Sequence, residues 1–306
     1  MSTKVSERTR RLAAIEALVC RDVGRRTADL IAASAGGLGD AARELAQATS
    51  VGLITGFFVP RGDVAAPETD GPVGTALLAA ALAACGVPVR IATDTPCADA
   101  VRAAVAATGV AVAVDEIAVA DQAALDRLIV DWRAASLSHA VAIERCGRAA
   151  DGKPRNMRGV DVSPWTAPLD DLFLGGPWKK LAVGDGGNEV GMGRLPAGLI
   201  ARTVPNGAEI ACATSCDHLT VAGVSNWGAY GLMAALAVLR PDWQATVAKF
   251  LTAERDLAVT RAIVDKAGAV DGVTALREPT VDGFGPDVHG PLVDELGRIA
   301  WGQTAD

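Results

Sequence analysis

VGLITGFF, residues 51–58, is a largely apolar run, preceded by Thr49 and Ser50 and followed by Val59 and Pro60. A strand that is apolar on both faces belongs in a parallel sheet sandwiched between helices rather than on a solvated edge. Working outward, the pattern repeats. Residues 87–92, 111–114, 139–144, 180–183 and 208–213 read as further strands, and 72–85, 97–108, 122–136, 188–200, 227–239 and 252–267 read as helices. Strand–helix alternation of this kind predicts an α/β fold, a mainly parallel Rossmann-like sheet with helices on both faces. With no internal repeat, low-complexity tract or Pro/Ser linker, residues 1–306 are expected to form one domain.

Composition narrows the function. Half of the 306 residues are hydrophobic, enough for a large core. A net charge of -7 argues against a chain built to coat nucleic acid or an anionic membrane. A single Tyr leaves little for an aromatic stacking platform. The six cysteines are scattered without a CxxC pair and read as reduced thiols of a cytoplasmic protein. Cys212 and Cys216, with Asp217 and His218, match no zinc spacing. The longest apolar run, 76–87, is too short to span a bilayer. The N-terminal MSTKVSERTRR is basic, but Glu7, Glu16 and Asp22 interrupt it, and Leu12, Ile15, Val19 and Val23 fit an amphipathic helix instead.

Ligands of open parallel sheets bind beyond the carboxyl ends of the strands, so the residues there are the candidates. After 51–58 come Glu68, Thr69, Asp70, Gly71 and Pro72. After 139–143 come Glu144 and Arg145. After 180–183 comes GDGGNEVGMG, 184–193. Ser225 and Asn226 precede a later helix. Glycines in 184–193 permit close backbone approach, but Asp185 and Glu189 stand where a pyrophosphate would, so no nucleotide cofactor is expected. Asp70 also fits a plain helix cap, Asp185 a cap or loop hydrogen bond, and Glu144 with Arg145 a local salt bridge. Arg145 is the candidate to clamp a carboxylate. The segment 145–177, rich in Gly, Pro, Asn and Asp, reads as a long functional loop in which Asn156 and Arg158 close over a small acid. His139 and His218 read as structural.

The order ITGF (54–57), ETDGP (68–72), ERCGRAADGKPRNMRGVDVS (144–163) and GDGGNEVGMG (184–193) resembles the D-glutamate cyclase C-terminal domain family. The resemblance runs from the N-terminal helix to the Ser225–Asn226 helix. It implies an α/β domain and the conversion of D-glutamate to 5-oxo-D-proline with loss of water, by a hydro-lyase. The animal enzymes of that family carry a further N-terminal domain that this sequence does not show.

That chemistry needs a base for the ammonium, a positive clamp on the γ-carboxylate and an acid for the departing oxygen. Expected roles follow. Arg145 clamps, Asp185 or Glu189 takes the proton, Glu68 or Asp70 serves as acid, and the Gly186 and Gly187 N–H groups hold a carboxylate or oxyanion. Thr69, Glu144, Asn156, Arg158, Asn188, Ser225 and Asn226 complete the binding set. Four acids around an acidic substrate also suit Mg²⁺ or Mn²⁺ on Glu68, Asp70, Asp185 and Glu189. The alternatives are a metal-dependent hydrolase of a related small acid or lactam, and a non-catalytic sensor of an acidic metabolite. The expected partner is a small acidic metabolite, with homo-oligomerisation open.

Overall fold

The computed structural model describes residues 6–62 and 64–303. Eight strands follow one another along the chain: β1 (Val51–Thr55), β2 (Phe58–Arg61), β3 (Val64–Pro67), β4 (Val89–Asp94), β5 (Ala113–Ile117), β6 (His139–Ile143), β7 (Lys179–Gly184) and β8 (His218–Val221). Six form a wholly parallel sheet in the order β5-β4-β1-β6-β7-β8, and β2 and β3 make a separate antiparallel hairpin. The chain builds outward from β1 to β5, then returns to the other side of β1 for β6. Between β1 and β6 the connections diverge and open a crevice at the strands' carboxyl ends, the position where doubly wound sheets take ligands.

Alternation inside the apolar runs sorts the two faces. Leu53, Ile91, Val141, Ile143, Leu181 and Val183 pack into one core with helices Pro72–Ala84, Ser225–Leu239 and Ala253–Ala267. Ile54, Ala92, Ala140, Ala142 and Ala182 face a second core holding Trp132, Phe173 and Trp178. Small residues on that second face leave room for the indoles. A Cβ on Gly52 would lie 2.4 Å from the Trp132 ring.

Several boundaries differ from the sequence reading. β1 stops at Thr55 because Gly56 has φ +111°, and Phe58 already belongs to the hairpin. Residues 188–200 are not a helix. Only Leu199–Thr203 is helical, and the preceding residues form turns and isolated bridges to Cys146 and Ser215. Gly187 and Gly191, at φ +105° and +103°, cannot continue a right-handed helix there. Residues 208–213 are not a strand. They hold the short helix Gly207–Ile210, and the edge strand is β8; a short apolar run does not distinguish the two. The N-terminal helix is Glu7–Val19, capped by Ser6, with Leu12, Ile15 and Val19 buried and Val23 half-buried beyond its end. The first five residues of the basic N-terminal segment lie outside the described residues. No helix among the described residues is long and apolar enough to cross a membrane.

Candidate active site

Above the β1–β6 crevice lies a cavity of about 570 Å³, lined by residues that include Arg25, Arg26, Phe57, Glu68, Glu144, Asn156, Met157, Arg158, Asp185, Gly186, Asn188, Glu189, Gly272 and Asp282. That volume suits a metabolite-sized ligand. Five carboxylates line it, and Asp70 stands directly behind.

Helices Pro72–Ala84 and Ser225–Leu239 both begin at this edge, and each is capped by the other's residue. Asp70 accepts from the Asn226 N–H (2.7 Å) and the Ser225 N–H (2.9 Å). Asn226 Oδ1 accepts from the N–H groups of Gly71 (3.0 Å) and Gly74 (2.8 Å). Asp70 is therefore a cap, but of the neighbouring helix rather than its own. Two positive helix ends thus face the acids. Gly71 has φ +93°, and a Cβ there would lie 2.7 Å from the Glu144 Cβ, so the turn admits only glycine. Glu144 itself has φ +44°, a conformation that side chains other than glycine adopt at a cost. Its carboxyl is held by the Ser225 hydroxyl at 2.6 Å.

Glu189 folds back into its own loop. Oε1 accepts from the N–H groups of Asp185 (3.0 Å) and Gly186 (2.6 Å), and Oε2 from that of Gly187 (2.7 Å). The Gly186 and Gly187 N–H groups, expected to hold substrate, are spent on this side chain. Arg145 does not reach the cavity. It is 1% exposed, pairs with Asp94 at 2.6 Å and donates to the carbonyls of Gly56 and Ala167. Thr69 donates to the Thr280 carbonyl. Thr69, Ser225 and Asn226 therefore frame the site from behind its wall. Asn188 donates to the Arg155 carbonyl, and Asn156 accepts from the Arg158 and Val160 N–H groups, so both asparagines hold the 145–177 loop against the cavity. Arg158 stands exposed at the rim.

Two residues central to the electrostatics escaped the sequence reading, Arg25 and Asp282. Arg25 reaches from the loop after the first helix to Asp185 (2.8 Å) and Asp282 (2.7 Å). Burial opposes its charge, but the attraction of Asp185 and then Asp282 outweighs that and raises its pKa. Nothing local distinguishes Arg25 from the solvated arginines around it. Asp282 lies just before Phe284, Gly285 and Pro286. A short relay reaches the neighbouring Val281. The Trp227 indole donates to His289 Nδ1 at 2.8 Å, which leaves His289 Nε2–H to face the Val281 carbonyl at 3.3 Å.

Burial, then the charges of Asp282 and Asp70, pushes the Glu68 carboxyl well above the usual carboxylate range. Burial and then Glu189 do the same to Glu144. Asp70 rises through burial and Asp282, and Asp185 through burial despite Arg25. Glu68, 8% exposed, meets no hydrogen-bond donor for its carboxylate among the described residues. Asp185 belongs to two trios, Asp70–Asp185–Asp282 and Glu144–Asp185–Glu189, whose ligand atoms all lie within 4.8 Å of one another. Such an all-oxygen set fits a hard divalent cation. Of the metal set expected from sequence, Asp70, Asp185 and Glu189 take part in these trios, while Glu68 lines the cavity beside them.

The cysteines take no part in this chemistry. All six are free, and burial pushes the Cys212 and Cys216 thiols up to about 12.

A family model described as D-glutamate cyclase-like, C-terminal, matches residues 15–297. The chain is also 38% identical over 215 residues to a Homo sapiens protein named D-glutamate cyclase, mitochondrial. That alignment covers 65% of this chain and 34% of the human one, so the chain spans about a third of that relative's length.

Proposed function

Because the chain belongs to the D-glutamate cyclase-like C-terminal family, we propose that it is a hydro-lyase that closes D-glutamate to 5-oxo-D-proline with release of water. The observation that carries the reading is the charge composition of one small cavity. Buried Glu68, Glu144, Asp185, Glu189 and Asp282 share the lining with Arg25, Arg26 and Arg158, and Asp185 and Asp282 pair with Arg25. This suits a substrate with one ammonium and two carboxylates.

The proton balance matches the residues available. Two protons leave the substrate nitrogen, and two arrive on the oxygen that departs from the γ-carboxyl as water. Acids whose pKa burial raises, as it does for Glu68 and Glu144, carry such protons in both directions. With Glu189 tied to three N–H groups and Asp185 paired to Arg25, Glu68 and Glu144 are left to carry them. Glu68 takes the first nitrogen proton, and Glu144, braced by Ser225, delivers one to the departing oxygen. The ionised Glu144 then takes the second nitrogen proton and Glu68 delivers its own to release water, which returns both acids to their starting states. Asp70, Asp185 and Asp282 would hold Mg²⁺ or Mn²⁺, whose chemistry is to neutralise the γ-carboxylate against the incoming amine. Arg158 and Arg26 pair with the substrate α-carboxylate. Folding glutamate into the cavity supplies the proximity that an intramolecular closure rewards.

The test is chiral mass spectrometry of the purified protein with D- or L-glutamate, with Mg²⁺ or Mn²⁺ and with EDTA. Formation of 5-oxo-D-proline from the D isomer, abolished in Glu68→Gln and Glu144→Gln, is the expected result. No product under any metal condition overturns the reading.

A further inference from the structure

We propose that Arg25 is a built-in counter-cation that holds the divalent-cation position between Asp185 and Asp282 and yields it when the ion binds. The proposal rests on the cation reading above.

Three observations converge on it. First, Arg25 touches one oxygen of Asp185 and one of Asp282, two members of the Asp70–Asp185–Asp282 trio. Second, only one arm of the fork is aligned, with Nη1 donating to Asp185 Oδ2 at 2.8 Å. Arg25 Nη2 and Asp282 Oδ2 lie 2.7 Å apart, yet both are buried without an aligned hydrogen bond. A spherical ion makes no such angular demand. Third, the Glu68 carboxylate faces the cavity with no donor, although it is more than nine-tenths buried. One guanidinium leaves this set short of positive charge.

The attachment of Arg25 permits the exchange. Its loop carries exposed Arg21, Asp22, Gly24 and Arg26, and the Gly24 and Arg25 N–H groups bond only locally, to Asp22. The side chain is 23% exposed, so it withdraws toward solvent without disturbing the core. Once released, the guanidinium is free to meet a carboxylate of the substrate, the role expected from sequence of Arg145.

The experiment is a Mn²⁺ titration of chelator-treated protein, followed by the electron paramagnetic resonance of free Mn²⁺. Arg25→Met should tighten Mn²⁺ binding by about tenfold or more, because a half-buried competing charge is gone. Asp282→Asn should weaken it by roughly 10–100-fold. In the unmodified protein, the Arg25 side-chain N–H signal in ¹H–¹⁵N NMR should be protected from solvent exchange without ions and lose protection with Mg²⁺. That second readout stands if Arg25→Met does not fold. Unchanged or weaker Mn²⁺ binding in Arg25→Met, or an Arg25 signal that stays protected at saturating Mg²⁺, overturns the proposal. The glutamate assay is independent. Product formation with unchanged Mn²⁺ affinity in Arg25→Met removes only the exchange, whereas tighter Mn²⁺ without product removes only the cyclase reading.

Discussion

Replacing Arg145 by Met separates a structural arginine from a substrate clamp. The residue is 1% exposed, as is the carboxylate of Asp94 that it meets at 2.6 Å. It also donates to the carbonyls of Gly56 at 2.9 Å and Ala167 at 2.6 Å. Met keeps most of the side-chain volume, so the loss is electrostatic. Stranding a buried carboxylate costs about 3–5 kcal/mol. Each carbonyl left without its charged donor adds about 1–2 kcal/mol, partly recovered by relaxation. The expected total is about 4–6 kcal/mol, or a fall in Tm of roughly 6–10 °C. Asp94→Asn in the same chain removes the stranded charge and should restore about 2–3 kcal/mol. Urea and thermal unfolding followed by circular dichroism measure both. The fraction that remains folded should keep the parental KM, because Arg145 does not line the cavity. Parental stability combined with a KM raised tenfold would refute the reasoning and return Arg145 to the substrate.

Other expectations follow from the same geometry. Glu68, Asp70, Glu144 and Asp185 have folded-state pKa values raised above their ordinary ones, so the folded state binds more protons than the unfolded. Their contribution is complete below the unfolded pKa and is lost as pH rises through the folded values. The Tm of chelator-treated protein should therefore fall from about pH 5 to about pH 8, and Mg²⁺ should flatten the slope; a Tm rising over that range would contradict it. Glu189→Gln turns an acceptor of three N–H groups into one that presents donors to them. It should cost about 2–3 kcal/mol in urea unfolding as well as activity. Gly71→Ala should unfold at least about 2 kcal/mol more easily, since it combines positive φ with the Glu144 contact; a neutral effect would show that the turn relaxes. His289→Phe keeps the packing but breaks the relay from Trp227 to Val281. Its effect should appear as weaker Mn²⁺ binding through Asp282, with little loss of Tm.

Much of the site was readable in sequence because strand ends in a parallel sheet all open on one edge. Glu68, Glu144, Asp185 and Glu189 each lie within a few residues of a turn or strand end on that edge, and the cavity gathers all four. What their loops do with them was not readable. An Arg after a strand and an Arg in a surface loop look alike as letters, yet Arg145 is sealed against Asp94 and Arg25 reaches Asp185. Likewise, Asp70 before Gly71–Pro72 signals a cap, but the helix it caps begins at Ser225.

The sequence by itself determined the α/β class, five of the six strands of the parallel sheet and the edge that carries the chemistry, while β8 was misplaced at 208–213. The strands and the edge follow from local periodicity and from the forced directionality of parallel β–α units, and the family from the resemblance of the motifs on that edge. Only the tertiary structure decided which charges meet. Asp282 comes to Asp185 from 97 residues away in the chain, and Arg25 from 160. Partners that far apart leave no local pattern, because their encounter is set by how the helices and loops pack rather than by the residues beside them. The same packing spends Arg145, Gly186 and Gly187 inside the protein and leaves Glu68 facing the cavity without a partner.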